Sequence, residues 1–393
     1  MIEIVNKEDC CGCSACVSIC SHNAIHFKVD EEGFLYPKVD KEQCVNCGLC
    51  EKVCPIKERK LKPESCSIIT VKAYYALRHK DKNILLNSSS GGAFSLIADY
   101  VIENGGVVCG VEFSSDGVVR HGFAESKNDL KKFRGSKYVQ SELLGVFSKI
   151  KEYLIRGRLV LFSGTPCQVD GLKKYLIKDY PKLITVDLVC HSIPSPLIYN
   201  DYIKYISKIL KNKIVGIDMR YKKSHGWSHK YSYRFLFENG KSVVDPLWIV
   251  NWGNLFFSEL INRPSCAECK YTNLNRPGDF TIADFWDDNH KRPDIYSKKG
   301  TSLLLVNTDK GLKLFNKFKD YANYWSLSKE DALQPCLIHP TVQHPQRKEF
   351  WNFYQHYGFV KTYKKYFAES KIKIIKKLIK IALTKCHIKE YEI

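Results

Sequence analysis

Hydrophobic residues along this chain recur in two periods, and their alternation predicts strands and helices in turn. Residues 68–77 have the β-branched and aromatic content of a strand. Phe94, Ile97, Ala98, Val101 and Ile102 stand at helical spacing, predicting a helix from about Phe94 to Glu103 that Asn104-Gly105-Gly106 stops. Residues 107–113 read as a buried strand. The order then repeats: a strand over 158–162, a tight turn with Pro166 at a helix start, a helix through Leu176, and a strand over 183–189. Next come a helix over about 197–210, a strand over 214–221 and an amphipathic hairpin over 231–241 turning on Asn239-Gly240. A buried strand over 301–308 precedes a helix from Gly311. Strand, short turn and helix in this order predict a mixed α/β domain.

The first sixty residues follow a different rule, set by cysteine. Cys10, Cys13, Cys16 and Cys20, then Cys44, Cys47, Cys50 and Cys54, each repeat the C-x2-C-x2-C-x3-C spacing of a 4Fe–4S site. Every pair is offset by 34 residues, and the lead-ins 5–9 and 39–43 match, so the module is a duplication. Three thiolates on one tight loop reach three irons of a cube. The fourth ligand comes from the other half in two-cluster ferredoxins. Cys10, Cys13, Cys16 and Cys54 are therefore expected at one cluster, and Cys44, Cys47, Cys50 and Cys20 at the other. Zinc ribbons lack the third cysteine in register. Disulfides suit neither the odd count of 17 cysteines nor the absence of an export signal at residues 1–9. Ser21 replaces the proline that usually follows the fourth cysteine, and Cys11 is an extra thiol with no assigned partner.

With 393 residues, two or three domains are expected, and no apolar run is long enough to span a bilayer. Many free thiols predict a reducing, cytoplasmic setting. The formal charge of +19 raises nucleic acid as a partner, but no helix-turn-helix, zinc-finger or RNP pattern accompanies it. Each oxidised cluster with four thiolates also offsets about two of those charges. The excess is uneven: residues 364–393 carry nine lysines against three glutamates. A basic surface that attracts acidic redox partners or anionic lipid fits better, and nucleic acid is not expected. Residues 371–385 plot as a helix with Lys373, Lys376, Lys377 and Lys380 on one arc and Ile372, Ile375, Leu378, Ile379 and Ala382 on the other. That pattern suits a membrane surface and equally suits docking on protein. Residues 56–65 read as a polar linker.

Three further groups carry candidate chemistry. Ser88, Ser89, Ser90, Gly91 and Gly92 at a helix start make either an anion cradle or an ordinary cap. Arg134, Gly135, Ser136, Lys137 and Tyr138 make either a phosphate-and-ring site or a solvated basic loop. Cys167 and Cys190 follow two strands that, if parallel, end on one sheet edge, where α/β folds bind ligands. Cys167 also stands in a first helical turn, where the dipole favours a thiolate. With Cys266 and Cys269 they make four thiolates, the complement of a third 4Fe–4S site or of zinc. Cys167 paired with His191 as a nucleophile is a further reading. Trp227, Asp284 and Trp286 read either as flavin neighbours or as core residues.

Ser89-Ser-Gly-Gly92, Arg134-Gly-Ser-Lys-Tyr138, Gly164-Thr-Pro-Cys-Gln168, Asp187-Leu-Val-Cys-His191, Pro194-Ser-Pro196, Cys266-x2-Cys269 and Asp284-Phe-Trp286 occur in one order. Together they resemble the coenzyme F-420 hydrogenase/dehydrogenase beta-subunit family, carrying an N-terminal two-cluster ferredoxin domain. The resemblance implies an α+β ferredoxin-like module at 1–60 and a larger mixed α/β flavin-binding domain. That domain's two parts would span 66–150 and 151–335, with a helical extension at 336–393. It implies FAD held by Ser89, Ser90, Gly91, Gly92, Ser136, Lys137 and Tyr138, and a third 4Fe–4S cluster held by Cys167, Cys190, Cys266 and Cys269. Ser192 and Ala283 stand where the family usually carries glycine. The implied function is an iron–sulfur flavoprotein oxidoreductase exchanging electrons with a redox protein, a deazaflavin or another small acceptor. The alternative is a non-catalytic electron-transfer subunit. His191 is a proton-transfer candidate by position alone.

Overall fold

Side chains that alternate between two faces build the largest element of the computed structural model, which describes residues 1–61, 71–114, 117–228, 232–246, 249–286 and 292–368. In the cysteine-rich module, β1 (Ile25–Val29) and β2 (Leu35–Val39) pair as an antiparallel hairpin. An eight-stranded sheet then takes β3 (Ala73–His79), β4 (Val107–Phe113), β5 (Val119–Ala124), β6 (Val160–Gly164) and β7 (Leu183–Leu188). A separate three-stranded sheet is made of β8 (Ile214–Asp218), β9 (Arg234–Phe237) and β10 (Ser242–Val244). The large sheet ends with β11 (Phe280–Asp284), β12 (Ser302–Val306) and β13 (Ala322–Ser326).

Its order is β13-β3-β12-β11-β7-β6-β4-β5. The four central strands β11, β7, β6 and β4 run parallel, and the flanking pairs are antiparallel. Neighbours in sequence face opposite ways. Val108, Leu161, Ile184 and Val186 pack under the helix Ala93–Glu103, whereas Cys109, Val160, Phe162 and Leu183 pack under the helices Val146–Ile155 and Pro166–Leu176. Both faces are covered, as a parallel sheet requires.

Helices near the site are α1 (Ala15–Ile19), α2 (Leu49–Lys52), α3 (Pro55–Leu61), α4 (Lys82–Leu86), α5 (Ala93–Glu103), α6 (Val146–Ile155), α7 (Pro166–Leu176) and α8 (Pro196–Leu210). The cysteine-rich module rests on α7 through α1 and α3. Arg59 donates to Asp170 at 2.9 Å and lies over the Tyr271 ring, whose hydroxyl donates to the same carboxylate at 3.0 Å. At the other end, Arg347 forks onto the buried carboxylate of Glu32, and a Cβ at Gly33 would strike Leu197 of α8.

Most predicted elements stand within a few residues of their expected bounds. Residues 56–65, read as a linker, instead begin as α3, because the apolar side of Pro55 and Ile56 is buried against the module. The strand expected over 68–77 runs Ala73–His79, and its first three residues lie outside the described ones. The strand expected over 214–221 ends at Asp218. Asn239-Gly240 does turn β9 into β10, with Leu236 opposite Ser242. The basic tail helix expected over 371–385 lies outside the described residues, among which no helix is long and apolar enough to cross a membrane.

Candidate functional site

The duplicated loops fold back on each other through α1 and α2. Cys10, Cys13, Cys16 and Cys54 line one cavity, with Cys11 in its wall. Cys20, Cys44, Cys47 and Cys50 line a second. Gly12, just before Cys13, and Gly48, just after Cys47, stand at φ +70° and +74°, left-handed turns that suit glycine. Burial, then the neighbouring sulfurs of Cys10 and Cys54, push the Cys16 thiol up. Gly171 of α7 seats the first site: a Cβ there would fall 2.9 Å from Cys13 Sγ.

A third cavity of about 210 Å3 opens between the module and the sheet. Cys167, Cys190, Cys266 and Cys269 line it, together with Cys11, His191, Arg263 and Lys60. β6 and β7 are parallel neighbours with Gly164 opposite Asp187, so Cys167 and Cys190 leave the same sheet edge. Cys266 and Cys269 reach it from the loop ahead of β11, which a buried ion pair ties down. Arg276 donates to Asp187 at 2.6 and 3.0 Å, to Leu188 O at 2.7 Å and to Tyr271 O at 2.5 Å. Both partners are essentially inaccessible. The expected helix-dipole effect at Cys167 is outweighed: hydrogen bonding with Cys11, then burial, push its thiol up. Burial and the sulfur of Cys269 raise Cys266 to about 12. Such crowded, buried sulfurs are stable as thiolates only beside positive charge.

The turn that carries Cys167 is held by a closed hydrogen-bond circuit. Thr165 N–H donates to Gln168 Oε1 at 3.0 Å, and Gln168 Nε2–H donates to Ser141 Oγ at 3.1 Å. Ser141 lies 3.1 Å from His121 Nδ1, and His121 Nε2 lies 3.1 Å from Ser163 O. This suits a neutral imidazole, and burial lowers the His121 pKa to about 4. Between the ordinary value near 6.5 and 4 the unfolded chain binds the extra proton, so stability falls as pH drops through that window. The expected loss is about 3 kcal/mol. Denaturation midpoints measured from pH 7 to 4 should show it for the native chain and not for His121→Gln. Equal slopes would contradict this account.

The two loops expected at flavin meet. Ser136 N–H donates to Ser89 Oγ at 2.8 Å, and the two hydroxyls are 2.9 Å apart. Ser90 instead bonds Ser302, and its carbonyl accepts from the buried Lys222 amine. Gly91 is required by close approach, since a Cβ would fall 2.1 Å from Leu77 O. Gly92 caps α5 at φ +89°. The Lys137 amine is committed to Lys132 O and Arg134 O, and burial lowers its pKa to about 7. Tyr138 packs at 5.0 Å on Phe256, whose ring stands 5.3 Å from His191, so a line of rings joins this loop to the third cavity. His191 sits 3.4 Å from Glu259, and burial lowers its pKa.

Sequence reasoning missed three residues of this region. Arg220 pairs with Asp284 at 2.7 Å and lies over Trp286, which stacks on Trp227 at 4.3 Å. Lys222 donates to Leu85 O, Ser90 O and Lys299 O. Arg263, 1% exposed, donates to Cys10 O at 2.8 Å and Leu35 O at 2.9 Å and lies 3.6 Å from Cys10 Sγ. Its place three residues before Cys266 was the one available signal.

Comparison with known proteins fits this layout. A family model described as coenzyme F420 hydrogenase/dehydrogenase, beta subunit N-term, matches residues 74–148, and its companion for the C terminus of that beta subunit matches 157–331. A 4Fe-4S dicluster domain model matches 9–57. No curated protein matches the chain. Among solved structures, a chain of the xenon-derivatised F420-reducing NiFe hydrogenase complex from Methanosarcina barkeri aligns at 17% identity and a TM-score of 0.46. The alignment covers 75% of this chain and 91% of that one.

Proposed function

The chain belongs to the coenzyme F420 hydrogenase/dehydrogenase beta-subunit family, and on that footing we propose an iron–sulfur flavoprotein oxidoreductase with three 4Fe–4S sites and FAD. The observation that carries the reading is the sorting of the cysteines. Each of the three cavities is lined by the four sulfurs expected of it. A cubane, unlike zinc, spreads its thiolates over four irons.

When bound, the clusters supply one-electron transfer and FAD joins it to two-electron chemistry. The residues supply the placement. Ser89 and Ser136 present hydroxyls and a backbone amide where the two loops meet, suiting the ribityl or phosphate part of a flavin. The stacked Trp227 and Trp286, with Arg220 and Asp284 beside them, suit its planar ring. The Trp227 Nε1–H is buried without an acceptor among the described residues, which fits a further ligand there. His191, neutral and flanked by Glu259, can hold or pass a proton at its Nε2. The domain division stands with this reading: 1–60, 66–150, 151–335 and 336–393.

Oxygen-free purification followed by iron, sulfide and flavin analysis tests the proposal. Three clusters and one FAD per chain are expected; zinc at the sulfur sites, or no flavin after gentle isolation, would overturn it. A second reading, an electron-transfer subunit, draws on the second site. There Cys47 is exposed, and Val45 and Leu49 present apolar surface at 58% and 36% exposure, a place for a redox protein to approach. Reduction of a small acceptor by the isolated chain separates the two, since an electron-transfer subunit needs its partner.

A further inference from the structure

The turn between β6 and α7 sets a hydroxyl beside a sulfur of the third site. Thr165 is the N-cap of α7 and takes extended backbone angles, φ −67° and ψ 158°. Pro166 disfavours the helical region for the residue before it, and a β-branched side chain has few rotamers, so the Thr165 hydroxyl has little freedom. The backbone of the residue is held as well. Its N–H donates to Gln168 Oε1 at 3.0 Å, and its carbonyl accepts from the N–H groups of Gln168 and Val169, each at 3.0 Å. In this position Thr165 Oγ1 stands 3.2 Å from Cys167 Sγ. Cys167 lines the third cavity and Thr165 does not, so the hydroxyl lies behind the sulfur rather than among the ligands.

A hydroxyl and a thiol can each donate to the other. A ligand cysteine is a thiolate with no proton to give, so at a loaded site the hydroxyl is the donor, and its one hydrogen serves one sulfur. The duplicated sites receive donors of other kinds. Ile2 N–H lies 3.2 Å from Cys50 Sγ, and the Arg263 guanidinium lies 3.6 Å from Cys10 Sγ. The third site has a backbone donor too, Ile193 N–H at 3.3 Å from Cys266 Sγ.

We propose that Thr165 tunes the third site: its hydroxyl donates to Cys167 Sγ and raises the reduction potential there. The inference rests on the cluster reading of that site. An added electron increases the negative charge that the ligand sulfurs share, and a donor aimed at one of them stabilises the reduced state. Removing the donor lowers the third midpoint and leaves the other two where they are.

The test uses the full chain, purified without oxygen, as native protein, Thr165→Val and Thr165→Ser. Valine keeps the shape without the hydroxyl, and serine keeps the hydroxyl. Iron and sulfide are counted, and the clusters are titrated by potentiometry with electron paramagnetic resonance. The third site's midpoint is identified as the one missing from Cys269→Ala. Native iron content is expected in both Thr165 variants, with the third midpoint alone lowered in Thr165→Val and close to native in Thr165→Ser. An unmoved third midpoint in Thr165→Val would overturn the proposal, as would a serine variant shifted as far as the valine one, or three midpoints moved alike. Loss of third-site iron from either variant would give Thr165 a structural role and overturn it too. A native protein without a third cluster would instead remove the underlying reading, and the native iron count tells the two failures apart.

Discussion

Arg276→Met is expected to lower folding stability by about 3–5 kcal/mol, because it strands a buried carboxylate. Asp187 is fully inaccessible, and its remaining partner among those described is the amide of Gly278 at 2.8 Å. The same guanidinium ties Leu188 O, two residues before Cys190, to Tyr271 O, two residues after Cys269. On the proposed cluster reading, the third site should therefore lose iron while the duplicated sites keep theirs. Chemical denaturation, with iron counted on the folded fraction, reads both effects. A midpoint within error of the native protein would mean that the pair is not isolated from water as its burial indicates.

Arg263→Met is the second large effect. It removes a cation buried beside the first sulfur site and leaves Cys10 O and Leu35 O without this donor, at about 1–3 kcal/mol each. The guanidinium also lies over Tyr36 at 4.4 Å and Phe34 at 5.3 Å, so the ferredoxin-type module loses a clamp as well as a charge. A positive charge near a cluster favours its reduced form. The first site's midpoint should fall, and limited proteolysis should cut the module away sooner. Arg263→Lys should hold the potential better than the docking, because an ammonium keeps the charge but not the fork. An unmoved midpoint in Arg263→Met would rule out the electrostatic role.

Local sequence rules carried much of this protein. The 34-residue offset of the two cysteine runs marked a duplication, the two-cluster ferredoxin pattern then predicted the exchange of Cys20 and Cys54 between sites, and Cys54 lines the first cavity and Cys20 the second. Pro166 after a strand put Cys167 in a helix's first turn, and strand periodicity put Cys190 beside it. These features depend on residues close in sequence, where spacing alone decides which side chains share a face. The short helix α4 and the flanking strands β5 and β13 went unread. Their apolar patterns are brief, and pairing partners far along the chain complete them.

What tertiary structure alone decided is where separate sulfurs, charges and rings meet. Nothing in the order of residues says that Cys11 faces Cys167, 156 positions away, or that Arg263 reaches back to Cys10. Nor does it say that Ser89 closes on Ser136 while Lys137 turns inward. Spacing along a backbone restricts what neighbours can do. Contacts across the chain come from how α1 and α3 of the cysteine-rich module pack on α7, which is settled by buried area and a few ion pairs and has no period to read.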